Sequence, residues 1–306
     1  MFEVPESGGI HRLAAAEIFT RASFSNPIQM QGILSRQPSK HYYENESWDI
    51  KSWVDVISIE YQSLVDHFPF NDILNEFSRP HSLQLLDVGC GSAIFPSYLD
   101  KVLADEIHFT CDLFDISPAS LEQASQVLSG LEHFTTRKLF EDLIENIPDR
   151  FKSHAELYDV IWAIHSFTTV DISRMAAVIE RLMDLLTPGG YLLIYQLAAK
   201  STYQRLHQHY LSQHPNAIHE TRFMQYEDSK RILNSLGIPF ETHELSFNHA
   251  VETKKYALLE MYLRKSILDD SVDVLNFFAD ILPDYVDAGA QSYKFPQFVN
   301  FIVVRK

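Results

Sequence analysis

The stretch Leu85-Leu86-Asp87-Val88-Gly89-Cys90-Gly91-Ser92-Ala93 constrains the fold more than any other part of this sequence. An apolar run that leads directly into closely spaced small residues predicts a buried strand that turns sharply beneath a ligand. Glycine is required at Gly89 and Gly91 because a side chain would block the approach of a ligand to the backbone. An ordinary tight turn is the alternative interpretation of so short a motif.

A second apolar segment supports the interpretation as a ligand-binding turn. It runs over His108–Asp115 and ends on an acidic residue, Asp115. Folds that bind nucleosides place at this point the carboxylate that binds the two ribose hydroxyls. The two segments together predict a nucleoside site at the ends of neighbouring strands.

Composition narrows the class of protein. A chain of 306 residues is long enough for one large α/β domain with insertions. Its formal net charge of −16 argues against a nucleic-acid partner and favours a small-molecule substrate, because phosphate binding requires a basic surface. We expect a soluble, cytoplasmic protein without a metal site, since there is no targeting segment, no long apolar run and no metal-ligand spacing. The oligomeric state is open, with a monomer favoured. Cys90 and Cys111 are expected to be free thiols in the core.

A helix is predicted over 48–68, where apolar residues recur along one face. Glu60 falls in that apolar row, between Ile57 and Leu64. A carboxylate is costly to bury without a partner, and a substrate ammonium would be such a partner. The alternative is a glutamate at the edge of the stripe that reaches solvent.

The segment 157–167 predicts a central parallel strand that is buried on both faces. Its polar and aromatic carboxyl end, at His165, Ser166 and Phe167, would lie at the sheet edge where ligands bind. His165 is therefore the candidate for contact with the reacting substrate. A histidine that hydrogen-bonds a loop is the alternative.

The chain resembles the class I methyltransferases that use S-adenosylmethionine. The resemblance rests on Asp87-x-Gly89-x-Gly91-x-Ala93, on Asp115, and on a helix over 172–186 that ends at Thr187-Pro188-Gly189-Gly190 before an apolar strand. It implies a Rossmann-like, doubly wound α/β fold with a seven-stranded, mostly parallel sheet whose last strand is antiparallel.

The same resemblance implies roles in cofactor binding. Asp87 would orient the glycine loop and the amino end of the methionine moiety. Phe140 would stack on the adenine, and Glu141 or Asp142 would accept its amino hydrogens, although acids at a helix start would give the same pattern. Asp87 and the missing third glycine disfavour a nicotinamide-dependent oxidoreductase.

Two divisions of the chain are predicted. Residues 1–80 would form a helical cap or substrate lid, with a helix over 10–20 and a loop over 23–40. Residues 81–306 would form the methyltransferase core, with insertions at about 198–225 and 250–296, the second containing helices over 254–268 and 272–282. These helices would interrupt the hairpin of the last two strands, predicted over 240–247 and 298–304.

A closer resemblance, over roughly 50–306, is to histamine N-methyltransferase and its relatives. It is carried by Ser58-Ile59-Glu60-Tyr61-Gln62, by Ile164-His165-Ser166-Phe167 and by Asn300-Phe301-Ile302-Val303-Val304. It implies that Glu60 binds the amine-bearing end of the substrate, that His165 and Phe167 contact the methyl-accepting side, that Gln297 supplies a polar amide, and that Ile164 lies beside the cofactor.

The sequence therefore predicts an enzyme that methylates a small molecule, with N-methylation of an amine preferred. Glu60 or His165 would position the amine and help to remove its proton. Methylation of oxygen or carbon, and a non-catalytic protein that binds S-adenosylmethionine, are the alternatives.

Overall fold

A computed structural model describes residues 50–77, 82–153, 156–215 and 223–306. The predicted helix over 10–20 and loop over 23–40 lie outside these ranges, as does most of the predicted cap. Of the cap, the described part contains two helices, α1 (Ile50–His67) and α2 (Phe70–Leu74). Both helices contribute residues to the main hydrophobic core.

One eight-stranded sheet organises the described residues, with its strands in the order β3-β2-β1-β4-β5-β8-β6 and the short β7 paired with β8. The first five strands of this order are parallel, and β8 is antiparallel to both β5 and β6. The strands are β1 (Leu83–Val88), β2 (Phe109–Asp115), β3 (Phe134–Glu141), β4 (Tyr158–Ile164), β5 (Leu186–Leu197), β6 (Glu241–Glu252), β7 (Val286–Asp287) and β8 (Ser292–Arg305).

Helices cover both faces of this sheet. After α1 and α2 they are α3 (Ile94–Leu99), α4 (Pro118–Leu128), α5 (Ile147–Arg150), α6 (Met175–Leu185), α7 (Thr202–Gln213), α8 (Tyr226–Ser235), α9 (Tyr256–Ile267) and α10 (Val274–Phe277). The start of α4 follows the predicted pattern, because the Ser117 side chain accepts a hydrogen bond from the backbone N–H of Ser120.

Two hydrophobic cores follow from the alternation of residues along the central strands. On β4, Val160 and Trp162 face the core shared with α1, α3 and α4, whereas Ile161 and Ala163 face the core shared with α6 and α8. Both sets are buried because helices cover both faces, which is the reason this strand reads as a continuous apolar run. The predicted doubly wound α/β fold is confirmed.

Several predicted boundaries differ from the structure. The antiparallel strands β6 and β8 are longer than predicted, and β7 was not predicted. The helix predicted over 272–282 is reduced to α10, which is followed by a separate 3-10 turn at Leu282–Tyr285. The predicted His-rich insertion contains α7, whose Leu206 and Tyr210 pack into the main core. No helix among the described residues is long and apolar enough to span a membrane.

Candidate active site

The glycine turn after β1 lies against the carboxyl end of β4. Gly89 has a φ of +72°, and a Cβ built on it would lie 2.3 Å from the Cβ of Ser166. Gly91 has a φ of +51°, but no described atom lies within 4 Å of the position its Cβ would take. The first glycine therefore allows close packing of the protein, whereas the second leaves open space above the turn.

Asp115, at the end of β2, holds the glycine turn from one side. Its Oδ2 accepts a hydrogen bond of 2.9 Å from the N–H of Gly91, and its Oδ1 accepts one of 2.9 Å from the N–H of Ser117. Burial raises the pKa of this carboxyl, while those N–H groups act in the opposite direction. Each carboxylate oxygen can accept more than one hydrogen bond, so Asp115 retains capacity for hydroxyl donors.

Asp87 lies on the same face of the sheet, opposite Trp162 in the register of β1 and β4. Burial raises the pKa of its carboxyl to about 7, the charge of Asp115 acts in the same direction, and the Trp162 indole opposes both. Two acidic residues thus converge beside the glycine turn, and a cationic group placed between them would relieve their repulsion.

The three residues predicted to hold an adenine lie at the end of β3. Glu141 pairs with Asp115 in the register of β2 and β3 and is exposed. Asp142 accepts hydrogen bonds at Oδ1 from the N–H of Leu143 (2.8 Å) and from Asn146 Nδ2 (2.7 Å). The Phe140 ring packs against Phe151, with the Arg150 guanidinium 5.6 Å from its centroid.

These residues fit a nucleoside that carries a positive charge. The open space above Gly91 admits a ligand against the backbone, Asp115 can accept from ribose hydroxyls, and Asp87 can bind an ammonium. The parallel strands β1 and β4 are neighbours at the point where the strand order reverses, which is where doubly wound sheets bind ligands.

A second group of polar residues surrounds Glu60 of α1. His165 Nε2 lies 2.5 Å from Glu60 Oε2, and His249 Nε2 lies 2.5 Å from Glu60 Oε1. Both N···O distances are short enough for charge-assisted hydrogen bonds. In neither contact does the ring N–H bond point along the line to the carboxylate oxygen. Burial alone raises the pKa of Glu60, but the two histidines outweigh it and hold the pKa far below its usual range. Glu60 is therefore an ionised carboxylate in the protein interior.

His165 links this group to the glycine turn. It has a φ of +57°, an uncommon backbone conformation for a histidine, and its N–H donates to the carbonyl of Tyr195 (2.9 Å). The next residue is Ser166, whose Cβ faces Gly89. The sharp bend at the end of β4 thus places the His165 ring against Glu60 and the following residue against the turn.

A chain of hydrogen bonds continues from His249 on β6. Its Nδ1 lies 3.1 Å from the hydroxyl of Tyr262 on α9, and Gln297 Nε2 on β8 donates to the same hydroxyl (2.9 Å). Burial raises the pKa of Tyr262, and the charge of Glu60 adds to this effect. Tyr262 therefore keeps its proton and can donate it to His249 Nδ1.

Lys265, also on α9, lies within the electrostatic influence of Glu60. Burial lowers the pKa of its ammonium to about 7, and the charge of Glu60 acts in the opposite direction. Taken as a whole, Lys265 is partly exposed to solvent.

The structure brings together most of the predicted site residues, but not all. Ile164 lies at the end of β4 and packs against the core shared with α1. Phe167 is 1% exposed and belongs to the core on the opposite face of the sheet. Gln297 is fully buried, and its amide binds Tyr262 and the carbonyl of Phe295.

His249, Tyr262 and Lys265 were not among the predicted site residues. A signal for His249 exists: in the alternating row that runs from Leu245 to Val251, the other positions are apolar and His249 is the one polar residue. A buried polar side chain in an apolar row requires a partner, and here the partner is Glu60. The two cysteines are free and buried, as predicted, and the described residues contain no cluster suited to a metal ion.

The family model described as "Methyltransferase domain" matches residues 61–238, more than half of the chain. The chain has no match among the curated proteins.

Among solved structures, a protein of Bacillus halodurans C-125 described as a candidate methyltransferase is 14% identical, with a TM-score of 0.49 over 78% of this chain and 98% of that one. Human N-acetylserotonin methyltransferase, solved with S-adenosylmethionine, is 14% identical, with a TM-score of 0.47 over 84% of this chain and 54% of that one. The plantazolicin methyltransferase BamL, solved with S-adenosylhomocysteine, is 15% identical, with a TM-score of 0.46 over 88% and 94%. At these identities the likeness says nothing about the substrate.

Proposed function

The chain belongs to the methyltransferase domain family, which uses S-adenosylmethionine, and from this premise we propose that it methylates a small-molecule amine, with His165 as the base. The observation that carries the proposal is the contact between His165 and the ionised, buried Glu60. His165 directly precedes Ser166, whose Cβ faces Gly89 of the glycine turn.

The cofactor would be held by residues at the ends of four neighbouring strands, β3, β2, β1 and β4. Asp115 would bind the ribose hydroxyls, and the open space above Gly91 would admit the ligand against the backbone. Asp87 would bind the ammonium of the methionine moiety. Phe140 and either Glu141 or Asp142 would line the adenine end, as the resemblance implies, and Ile164 would lie beside the cofactor.

When bound, S-adenosylmethionine supplies a methyl group on a sulfonium, whose carbon–sulfur bond breaks as the lone pair of an acceptor attacks. An alkylamine is mostly protonated near neutral pH and has no lone pair until a base removes a proton. We assign this step to His165. Its Nε2 contacts Glu60, and of the described residues none hydrogen-bonds Nδ1, so Nδ1 can accept the proton of an ammonium.

Glu60 supports this step by its charge. When His165 takes up a proton, the ring becomes an imidazolium beside a carboxylate that stays ionised, and the pair is stabilised by their opposite charges. A carboxylate that orients a histidine and stabilises its protonated form is a recurrent arrangement for a histidine base. The negative charge also favours a cationic acceptor over a neutral one.

O-methylation is the second candidate. Both oxygens of Glu60 are contacted by histidines, so an ammonium would not bind this carboxylate in the way that the resemblance to histamine N-methyltransferase implies. A hydroxyl acceptor needs only His165 Nδ1 as a base. The two histidines on Glu60 would therefore not hinder methylation of a hydroxyl group.

The test is a methylation screen with isotope-labelled S-adenosylmethionine on matched pairs of acceptors, each an amine and a hydroxyl compound of the same carbon skeleton. We expect label in the amine. His165→Asn should lower turnover by about a hundredfold or more and leave affinity for S-adenosylhomocysteine within about twofold. Asparagine adopts positive φ more readily than most residues, so this variant keeps the backbone bend.

Other outcomes decide against the proposal. Label only in the hydroxyl compound would favour the second candidate. Label in carbon would overturn the role of His165 as the base of an amine. Tight binding of S-adenosylhomocysteine without label in any acceptor would favour a non-catalytic protein.

A further inference from the structure

We infer that His249, held in place by Tyr262 and Gln297, is a positioning residue that sets the basicity of His165 through Glu60. The inference rests on the proposed function in one respect, namely that His165 is the base. It concerns His249 and Tyr262, which the resemblance does not name, and it gives Gln297 a role in holding them.

Exposure separates the two histidines that contact Glu60. The His165 side chain is 18% exposed, whereas that of His249 is 3% exposed. Tyr262 and Gln297, behind His249, are completely buried. An acceptor can therefore reach His165, whereas His249 can act only through the carboxylate between them.

The direction of each hydrogen bond follows from the charge of Glu60. An ionised carboxylate can only accept, so His249 Nε2 must carry the proton in its 2.5 Å contact with Glu60 Oε1, although that contact is bent. In a neutral imidazole the other nitrogen then accepts, and the Tyr262 hydroxyl donates to Nδ1. The Tyr262 oxygen in turn accepts from the Gln297 amide. Gln297 and Tyr262 thus fix the tautomer of His249 and keep its proton on Nε2, the nitrogen that contacts Glu60.

This arrangement weakens the hold of Glu60 on the proton of His165. A hydrogen bond to a carboxylate stabilises its charged form and makes it a weaker acceptor for any other donor. With His249 donating to Oε1, Oε2 attracts the imidazolium proton of His165 less strongly. We expect that removing the His249 donor would raise the pKa of His165, and that the base would then be protonated over a wider range of pH.

Other titratable groups face Glu60 or the His165 ring, and their titration must be distinguished from that of His165. They are Tyr61 of α1, Tyr195 of β5, and Tyr262 and Lys265 of α9. Burial raises the pKa of Tyr195 and Tyr262, so these two do not titrate near neutral pH. Lys265 does, and the protonation of the His165 ring must therefore be measured directly.

The experiment is an NMR titration of the histidine rings in full-length protein labelled with ¹⁵N-histidine, with the His165 signal assigned from its absence in His165→Asn. Wild type is compared with His249→Phe, which removes the donor, and with His249→Gln, which keeps an N–H group. We expect His249→Phe to raise the pKa of His165 by about one unit, the equivalent of one hydrogen bond, and His249→Gln to restore most of the wild-type value. Tyr262→Phe should give a smaller rise.

His243→Gln is the matched control. His243 lies on the same strand and packs against Phe68, with ring centroids 5.1 Å apart, so the pKa of His165 should not change. An unchanged pKa of His165 in folded His249→Phe would overturn the inference, as would an equal rise in His249→Gln and His249→Phe. A rise confined to His249→Phe, in a protein that methylates no acceptor, would leave the inference standing and the proposed function refuted.

Discussion

The two halves of the candidate active site are built in different ways. In the cofactor half, Gly89 and Gly91 follow directly on Asp87, and Asp115 ends the very next strand. In the acceptor half, Glu60 comes from α1, His165 from the end of β4, and His249 from β6. The residues of the cofactor half are close together in the sequence, whereas those of the acceptor half are far apart in the sequence and meet only in the folded chain.

The two halves depend on different physical properties of their residues. The glycine turn depends on backbone conformation, which a short motif can encode by itself. The group formed by Glu60, His165 and His249 takes charge out of water. In the protein interior its members are stable only as partners of one another. Substitutions in the two halves should accordingly separate cofactor binding from turnover.

The largest effect is expected from Glu60→Gln, which sharpens that separation. The neutral amide would no longer stabilise a protonated His165, so turnover should fall about a thousandfold. Affinity for S-adenosylhomocysteine, measured by calorimetry, should stay within about twofold. Glu76→Gln, at a partly exposed glutamate that pairs with Arg305, is the control and should leave both quantities unchanged. Equal losses of binding and turnover in Glu60→Gln would erase the distinction between the halves.

Within the cofactor half, the two glycines should respond differently to alanine. In Gly89→Ala the new Cβ would meet the Ser166 Cβ at 2.3 Å, so the free energy of unfolding should fall by about 3 kcal/mol and binding should be lost. In Gly91→Ala the Cβ meets no described atom, so only the strain of positive φ remains, at about 1 kcal/mol. Affinity for S-adenosylhomocysteine should still fall sharply in Gly91→Ala, because the new Cβ would enter the space proposed for the ligand. Denaturant unfolding with calorimetry checks both, and equal stabilities of the two variants would contradict the contrast.

Asp87 should make the stability of the ligand-free protein depend on pH. Its pKa is raised to about 7 in the folded protein, above the ordinary value of 3.8, so between these values the folded state holds a proton that the unfolded chain has lost. This contribution to stability is complete below the unfolded pKa and is lost as the pH rises through 7, by about 4 kcal/mol in all, of which about 3 kcal/mol falls between pH 5 and pH 8. Asp87→Asn should remove that loss and also weaken cofactor binding. Unfolding curves at pH 5 and pH 8 that change equally in both proteins would refute the assignment.

The smallest effect is expected from Asp115→Ala. Loss of hydrogen bonds to a charged group should lower affinity for S-adenosylhomocysteine by about tenfold or more. Asp112→Asn is the control on the same strand. Asp112 is fully buried and binds Arg137 through two hydrogen bonds of 2.8 and 2.6 Å, so its loss should lower stability instead of ligand affinity. Unchanged affinity in Asp115→Ala would exclude its proposed role.

Much of the cofactor half was predictable from the sequence, because its signals are local. The apolar runs of β1, β2 and β4 predict buried parallel strands, and the small residues after β1 predict the turn. The difference between the two glycines was not predictable, since it depends on whether Ser166 of another strand lies against the turn. Phe167 shows the same limit: its position at a strand end suggested a substrate contact, but the backbone bend at His165 directs its ring into the opposite core.

The sequence by itself determined the doubly wound sheet, the glycine turn after β1 and the acidic residue that ends β2, because periodicity and glycine act over a few residues. Only the tertiary structure decided what Glu60 contacts. The sequence offered a choice between solvent and a substrate ammonium, and the folded chain satisfies the carboxylate with His165 and His249. A buried charge is stabilised by whichever groups the fold brings within a few ångströms, and that proximity is a property of the packed chain and not of any single segment.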